Sequence, residues 1–93
     1  MNYTYVLLSE RDGRFYTGCT SDLRARVREH ADGRVRSTAS RRPLLLIYYE
    51  ACIAPDAARR RERYLKTGKG KRYLHSRLAV YLSAIRRNKL ERH

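Results

Sequence analysis

Several protein classes are excluded by what this chain has little of. It carries two cysteines, Cys19 and Cys52, without CxxC spacing and with too few histidines nearby for a zinc site. Both read as reduced, partly buried thiols, which fits a cytoplasmic protein. No apolar run reaches membrane-spanning length, and the N-terminus lacks the basic-then-apolar pattern of an export signal. A soluble protein that does not engage a membrane is expected. Repeats and interdomain linkers are also missing. The 93 residues are therefore read as one domain, 1–93, with its core over about 2–75. A chain of this length buries only about 60–65% of its unfolded surface, so the core is thin.

Acidic residues are scarce as well: 9 Asp and Glu stand against 22 Lys and Arg, a formal net charge of +13. Such a surplus on a small domain points to a polyanion, with nucleic acid the leading candidate. A generally basic protein, for instance one associated with the ribosome, would carry the same charge. The hydrophobic fraction of 42% is that of a globular chain.

What is present reads as β-β-α-β-α-α, a three-stranded, mainly antiparallel sheet flanked by helices, of α+β or α/β class. NYTYVLLS (2–9) and RFYTG (14–18) are strands, joined through the Asp-Gly turn of RDG (11–13). Ser21 or Asp22 caps a helix over about 22–31, where Leu23 and Val27 form a narrow apolar stripe beside Arg26 and His30. DGRVRSTASRRP (32–43) has no hydrophobic period and reads as a mobile basic loop. LLLIYYEA (44–51) is nearly all apolar and reads as the central strand. Pro55 suits the first turn of a helix over about 54–66, with Asp56 favourable beside it. TGKGK (67–71) breaks the chain before a last helix over about 71–87, whose core stripe is Leu74, Leu78, Tyr81, Leu82 and Ile85. The tail NKLERH is expected to fray.

Hydrolysis of a phosphodiester needs a group to deprotonate water, a cation for the charge of the transition state, and usually a carboxylate-held divalent metal. Tyr5 and Tyr16 on adjacent strands, Arg26 and His30 on one helix face, and Glu62 supply those types. Glu62 shares a helix face with Ala58 and Leu65, where an inward carboxylate is costly unless paired or metal-bound. A structural ion pair with an arginine explains it equally, and Glu50 and Asp22 are alternative acids. His30 could simply complement its helix end, and the two tyrosines could be core aromatics.

Their combined spacing resembles the GIY-YIG endonuclease family. The first motif matches Tyr3-Thr4-Tyr5, the second Tyr16-Thr17-Gly18, the helix LRARVREH, and the acidic position Glu62 in RRRERYLKTGKGK. The likeness covers about 2–75 and is closest to small single-domain bacterial members. It implies a metal-dependent hydrolase of DNA phosphodiesters that leaves a 5′-phosphate and a 3′-hydroxyl. Tyr5 would be general base or water-orienting group, and Tyr16 would position water or phosphate. Arg26 would stabilise the transition state, His30 would assist the proton path, and Glu62 would bind magnesium or manganese. Tyr3 stands in place of the first motif's glycine and Thr17 in place of an aliphatic residue. Cys19 follows Gly18 where some members have lysine, so phosphate contacts are expected from Gly18, Arg24, Arg34, Arg36, Arg41, Arg42, Lys69 and Lys71. Without room for a targeting domain, selection of single-stranded or branched DNA is expected over reading of a long sequence, with tyrosines stacking unpaired bases. An inactive nucleic-acid-binding adaptor is the alternative, and a protein partner or second copy could dock on the last helix. Repair, recombination, DNA uptake and mobile elements all suit such an enzyme.

Overall fold

The computed structural model describes residues 1–91, with side chains through Asn88. Arg92 and His93, the end of the tail expected to fray, lie outside the described residues. The chain runs β1 (Asn2–Ser9), β2 (Phe15–Thr20), α1 (Leu23–Ala31), a 3-10 turn at Ala39–Arg41, β3 (Leu44–Cys52), α2 (Pro55–Leu65), α3 (Gly68–Arg77) and α4 (Ala79–Glu91). This is an antiparallel three-stranded sheet with helices, as the sequence predicts. It divides into two compact units, Met1–Arg63 and a second that begins at Tyr64.

In the first unit the strand order is β2-β1-β3. The central strand is therefore β1 and not the apolar run 44–51. β1 is buried from Thr4 to Ser9, whereas β3 is a half-exposed edge with Tyr49 open to solvent. The misreading has a simple cause. A short apolar run shows that side chains seek cover, and does not say on which flank of a sheet the strand lies. The hairpin forms on the Asp-Gly turn, where Gly13 has φ +72° and the Asp12 carboxylate accepts from the Arg14 amide at 2.8 Å.

Segment 32–43 is not the mobile loop its composition suggests. Val35 and Thr38 are buried, the 3-10 turn follows them, and the Arg41 carbonyl accepts from the Ser9 hydroxyl at 2.7 Å. Polar side chains here satisfy backbone and core partners, so hydrophobic period alone misses the order. On the other face of the sheet, α2 is fastened by its own backbone. The Ala58 carbonyl accepts from the Thr4 hydroxyl at 2.8 Å and the Cys19 thiol at 3.2 Å, two residues paired across β1 and β2.

The second unit corrects two expectations. TGKGK does not break the chain throughout: Thr67 caps α3 by accepting from the Gly70 amide at 3.1 Å, and Gly68–Lys71 form its first turn. Gly70 is required there because a Cβ would lie 2.5 Å from Leu65 Cα and closer still to the Tyr64 carbonyl. The single helix expected over 71–87 is two helices, separated at Leu78 (φ −105°, ψ 12°), and α4 runs through Glu91. Of the expected stripe only Leu74 is fully buried; Leu78, Leu82 and Ile85 are half-buried, and Tyr81 is exposed.

Candidate active site

The sheet face under α1 is built by alternation. Tyr3, Tyr5 and Leu7 on β1 share one face, and register sets Tyr5 opposite Gly18 on β2 and Tyr49 on β3, with Leu7 opposite Tyr16. The Tyr5 ring lies across Gly18: a Cβ there would stand 2.6 Å from the Tyr5 hydroxyl and 2.8 Å from Cζ. The bare backbone therefore accommodates Tyr5, rather than leaving room for a phosphate as the sequence reading had it.

α1 starts at Asp22, whose carboxylate accepts from the Ala25 amide at 3.1 Å. Four residues separate Arg26 from His30, so both project from one side of the helix toward the tyrosines. The His30 Nε2 lies 2.8 Å from the Tyr5 hydroxyl, and its Nδ1 lies 2.7 Å from the Thr38 hydroxyl. Thr38 spends its hydrogen on the Val35 carbonyl at 3.4 Å, so it accepts from Nδ1–H. Nε2 is then the bare nitrogen, and Tyr5 donates to it. The tautomer is fixed by the far side of the ring, a task sequence reasoning did not assign to Thr38. Its only trace in the sequence is a polar STAS stretch with no local signature. Tyr5, His30 and Thr38 are all buried, at 1%, 0% and 0% exposure. The half-buried Tyr16 closes the cluster, its ring centroid 5.1 Å from that of His30 and 6.3 Å from that of Tyr5.

The electrostatics converge on Tyr5. Burial above all raises its pKa to about 12, opposed by the Arg26 guanidinium beside it and reinforced by Tyr16 and by the charge of Glu62. The phenol is thus protonated near neutrality. Arg26 is held charged chiefly by its hydrogen bond toward Tyr5, and it also pairs with Glu29 at 3.6 Å. Burial, then the Arg26 charge, lowers the His30 pKa, with Glu29 opposing, so the imidazole is neutral at pH 7. Of the expected catalytic positions, Tyr16, Arg26 and His30 are brought together around the Tyr5 hydroxyl, while Glu62, on α2, is tied to it only through the influence of its charge. The alternative acids are otherwise engaged. Glu50 accepts from Arg61 Nε at 2.9 and 3.0 Å and from the Tyr48 hydroxyl, and Asp22 caps α1.

The expected phosphate contacts separate into two groups. Arg24, Arg34 and Arg36 are exposed in the first unit, and Lys69 and Lys71 are exposed on α3 in the second. Arg41 is instead committed to the fold: its Nε donates to Asp12 at 2.7 Å, and this pair holds the Asp12 pKa down at about 2. The exposed Arg42 donates to the Ala39 carbonyl at 2.9 Å and lays its guanidinium against Gly33. Cys19, expected to mark a difference in substrate handling, anchors α2.

Comparison with known proteins agrees with this fold. Residues 1–75 match the family model described as the GIY-YIG catalytic domain. The UPF0213 protein YazA of Bacillus subtilis is 35% identical over 91 residues, covering 89% of this chain and 92% of its own. A UPF0213 protein of Staphylococcus haemolyticus is 36% identical over 67 residues, with 71% and 80% covered. The solution NMR structure of a UPF0213 protein from Bacillus halodurans superposes with a TM-score of 0.52 at 35% identity, covering 82% and 84% of the two chains. The chain belongs to the GIY-YIG family. That catalytic domain suggests nuclease activity and hence a nucleic-acid substrate. No helix among the described residues is long and apolar enough to cross a membrane.

Proposed function

We propose that the protein is a metal-dependent endonuclease of DNA that selects single-stranded or branched structure. The observation that carries this reading is the Tyr5 hydroxyl donating to a neutral, buried His30 whose tautomer Thr38 sets. A phenol with a pKa of about 12 is a poor base alone, but one that can pass its proton to Nε2 can take another from water. Water reaches the pair from the side of the half-exposed Tyr16, which orients it. As the water oxygen attacks phosphorus, its proton goes to Tyr5 and the Tyr5 proton goes to His30. Arg26 meets the negative charge that grows on the phosphoryl oxygens. The 3′ oxygen leaves and takes a proton from solvent water, giving a 3′-hydroxyl and a 5′-phosphate, and His30 returns its extra proton to solvent.

The donor set fits magnesium or manganese. Glu62 is a hard oxygen ligand whose charge is felt at the Tyr5 hydroxyl, and no group of three or more His, Cys, Asp and Glu occurs among the described residues. One carboxylate suits an ion that keeps most of its waters. Glu62 would hold the metal, which when bound supplies Lewis-acid neutralisation of the phosphate. Cytoplasmic location belongs to the same reading, from two cysteines that form no disulfide. So does docking of a partner or second copy on α4, from the exposure of Val80 (87%) and Tyr81.

An inactive DNA-binding adaptor draws on one observation, the near-complete burial of Tyr5. Incubation with single-stranded and branched DNA and Mg²⁺ or Mn²⁺ separates the readings. Cleavage by the wild type, lost in Glu62→Ala and Arg26→Ala with binding retained, supports the nuclease. Equal nicking by all three, or binding with no nicking by any, refutes it.

A further inference from the structure

A second feature of the sheet face under α1 has no part in the proton path. Beyond Tyr5, toward the β3 edge, a cleft of about 480 Å³ is lined by Tyr3, Tyr49, Leu46, Val27, Arg24 and Asp22, among others. Tyr49 is 55% exposed, so its ring is open to a ligand on this face. Tyr3 meets it edge to face, with centroids 6.2 Å apart at 62°. The ring pair and the aliphatic side chains line the cleft together.

We infer that this cleft takes one unpaired nucleobase of a DNA strand whose neighbouring phosphate lies at Tyr5. The inference rests on the nuclease reading and adds a specificity site to it. Three observations select the base over other occupants. The lining is aromatic and aliphatic, which suits the face of a base, and its rim holds the Asp22 carboxylate, which repels a phosphate but accepts from base amino groups. Arg24, exposed on the same rim, is available to the adjoining phosphate. The spacing also fits. Tyr3 is two residues from Tyr5 on the same face, and Tyr49 stands opposite Tyr5 in register. The cleft is thus about one nucleotide step from the hydroxyl, roughly two strand residues at 3.3 Å each. A paired base cannot enter while stacked in its duplex, so the cleft would confer a strand-state preference.

The test measures binding apart from cleavage, in EDTA, with an oligothymidylate carrying one 2-aminopurine and with a blunt duplex of equal length. Wild type is expected to bind the single strand and alter 2-aminopurine fluorescence by stacking. Tyr49→Ala should weaken single-strand binding about 5- to 150-fold, the range set by loss of one base–aromatic stack. Duplex binding should be unchanged, and Tyr49→Phe should restore wild-type affinity. Because Tyr49 is an exposed edge residue, an unchanged thermal melt is expected and checks that the variant folds. Equal single-strand affinity in Tyr49→Ala and wild type overturns the cleft and leaves the nuclease reading standing. A wild type that binds neither DNA overturns both, and so does binding without cleavage when Mg²⁺ is restored, since the cleft is placed by the reaction at Tyr5.

Discussion

Replacing Thr38 with valine keeps the shape of a fully buried side chain and removes only its hydroxyl. The Nδ1–H of His30, 2.7 Å from that oxygen, then has no acceptor, and a buried donor left unsatisfied costs about 1–3 kcal/mol. For a domain of 60–100 residues each kcal/mol lowers Tm by about 4–8 °C, so a fall of about 4–24 °C is expected. The imidazole has one way to avoid that cost: to move its proton to Nε2 and donate to Tyr5. That reverses the Tyr5–His30 hydrogen bond and fills the nitrogen proposed to take the tyrosine's proton. Thr38→Val should therefore show a lower Tm, or a switched His30 tautomer by ¹⁵N NMR, and in either case a slower cleavage rate. Thr38→Ser keeps the hydroxyl and should keep the wild-type tautomer and most of the rate. A Thr38→Val protein with wild-type Tm and wild-type tautomer would refute the assignment of Thr38 as the group that orients His30.

Two further outcomes follow from the same cluster. In the folded chain the His30 pKa lies below its usual 6.5, so under pH 6.5 the unfolded chain binds a proton that the folded one refuses. Stability is complete above that value and falls as the pH drops toward the folded pKa; melts from pH 8 to 5 should show this slope, and His30→Gln should lose it. Gly18→Ala places a methyl 2.6 Å from the Tyr5 hydroxyl and must shift the ring from His30, at a cost of about 1–3 kcal/mol. Melting and cleavage should both decline, and unchanged cleavage would show that the ring's present position is not needed.

The fold was legible wherever local chemistry and burial agree. The Asp-Gly hairpin, the Asp22 cap and the Pro55 helix start each rest on a residue whose backbone preference or side-chain oxygen serves its own few neighbours. The order of the strands was not legible in this way. LLLIYYEA is more apolar than NYTYVLLS, yet the latter is central, and its polar side chains Thr4 and Ser9 find partners inside the core. Type and spacing left the expected site residues open to ordinary structural roles, and the resemblance to the family motifs singled them out; the structure brings Tyr5, Tyr16, Arg26 and His30 together. Thr38 was hidden because its partner is eight positions back and its own segment carries no period. Arg41 was misjudged for the opposite reason: charge counting cannot tell a guanidinium offered to solvent from one already spent on Asp12.

The shared acceptor on α2 has a practical consequence. Glu62 lies one turn beyond Ala58, so the hydroxyl of Thr4 and the thiol of Cys19 together set how far along its axis the helix can slide. A reagent that alkylates Cys19 would release one of these two pins and shift the carboxylate without touching any reacting atom. Inhibition by thiol-blocking agents would then look, in an inhibitor screen, like the signature of a cysteine nucleophile, while the thiol serves only as a stop that keeps a distant acid in register.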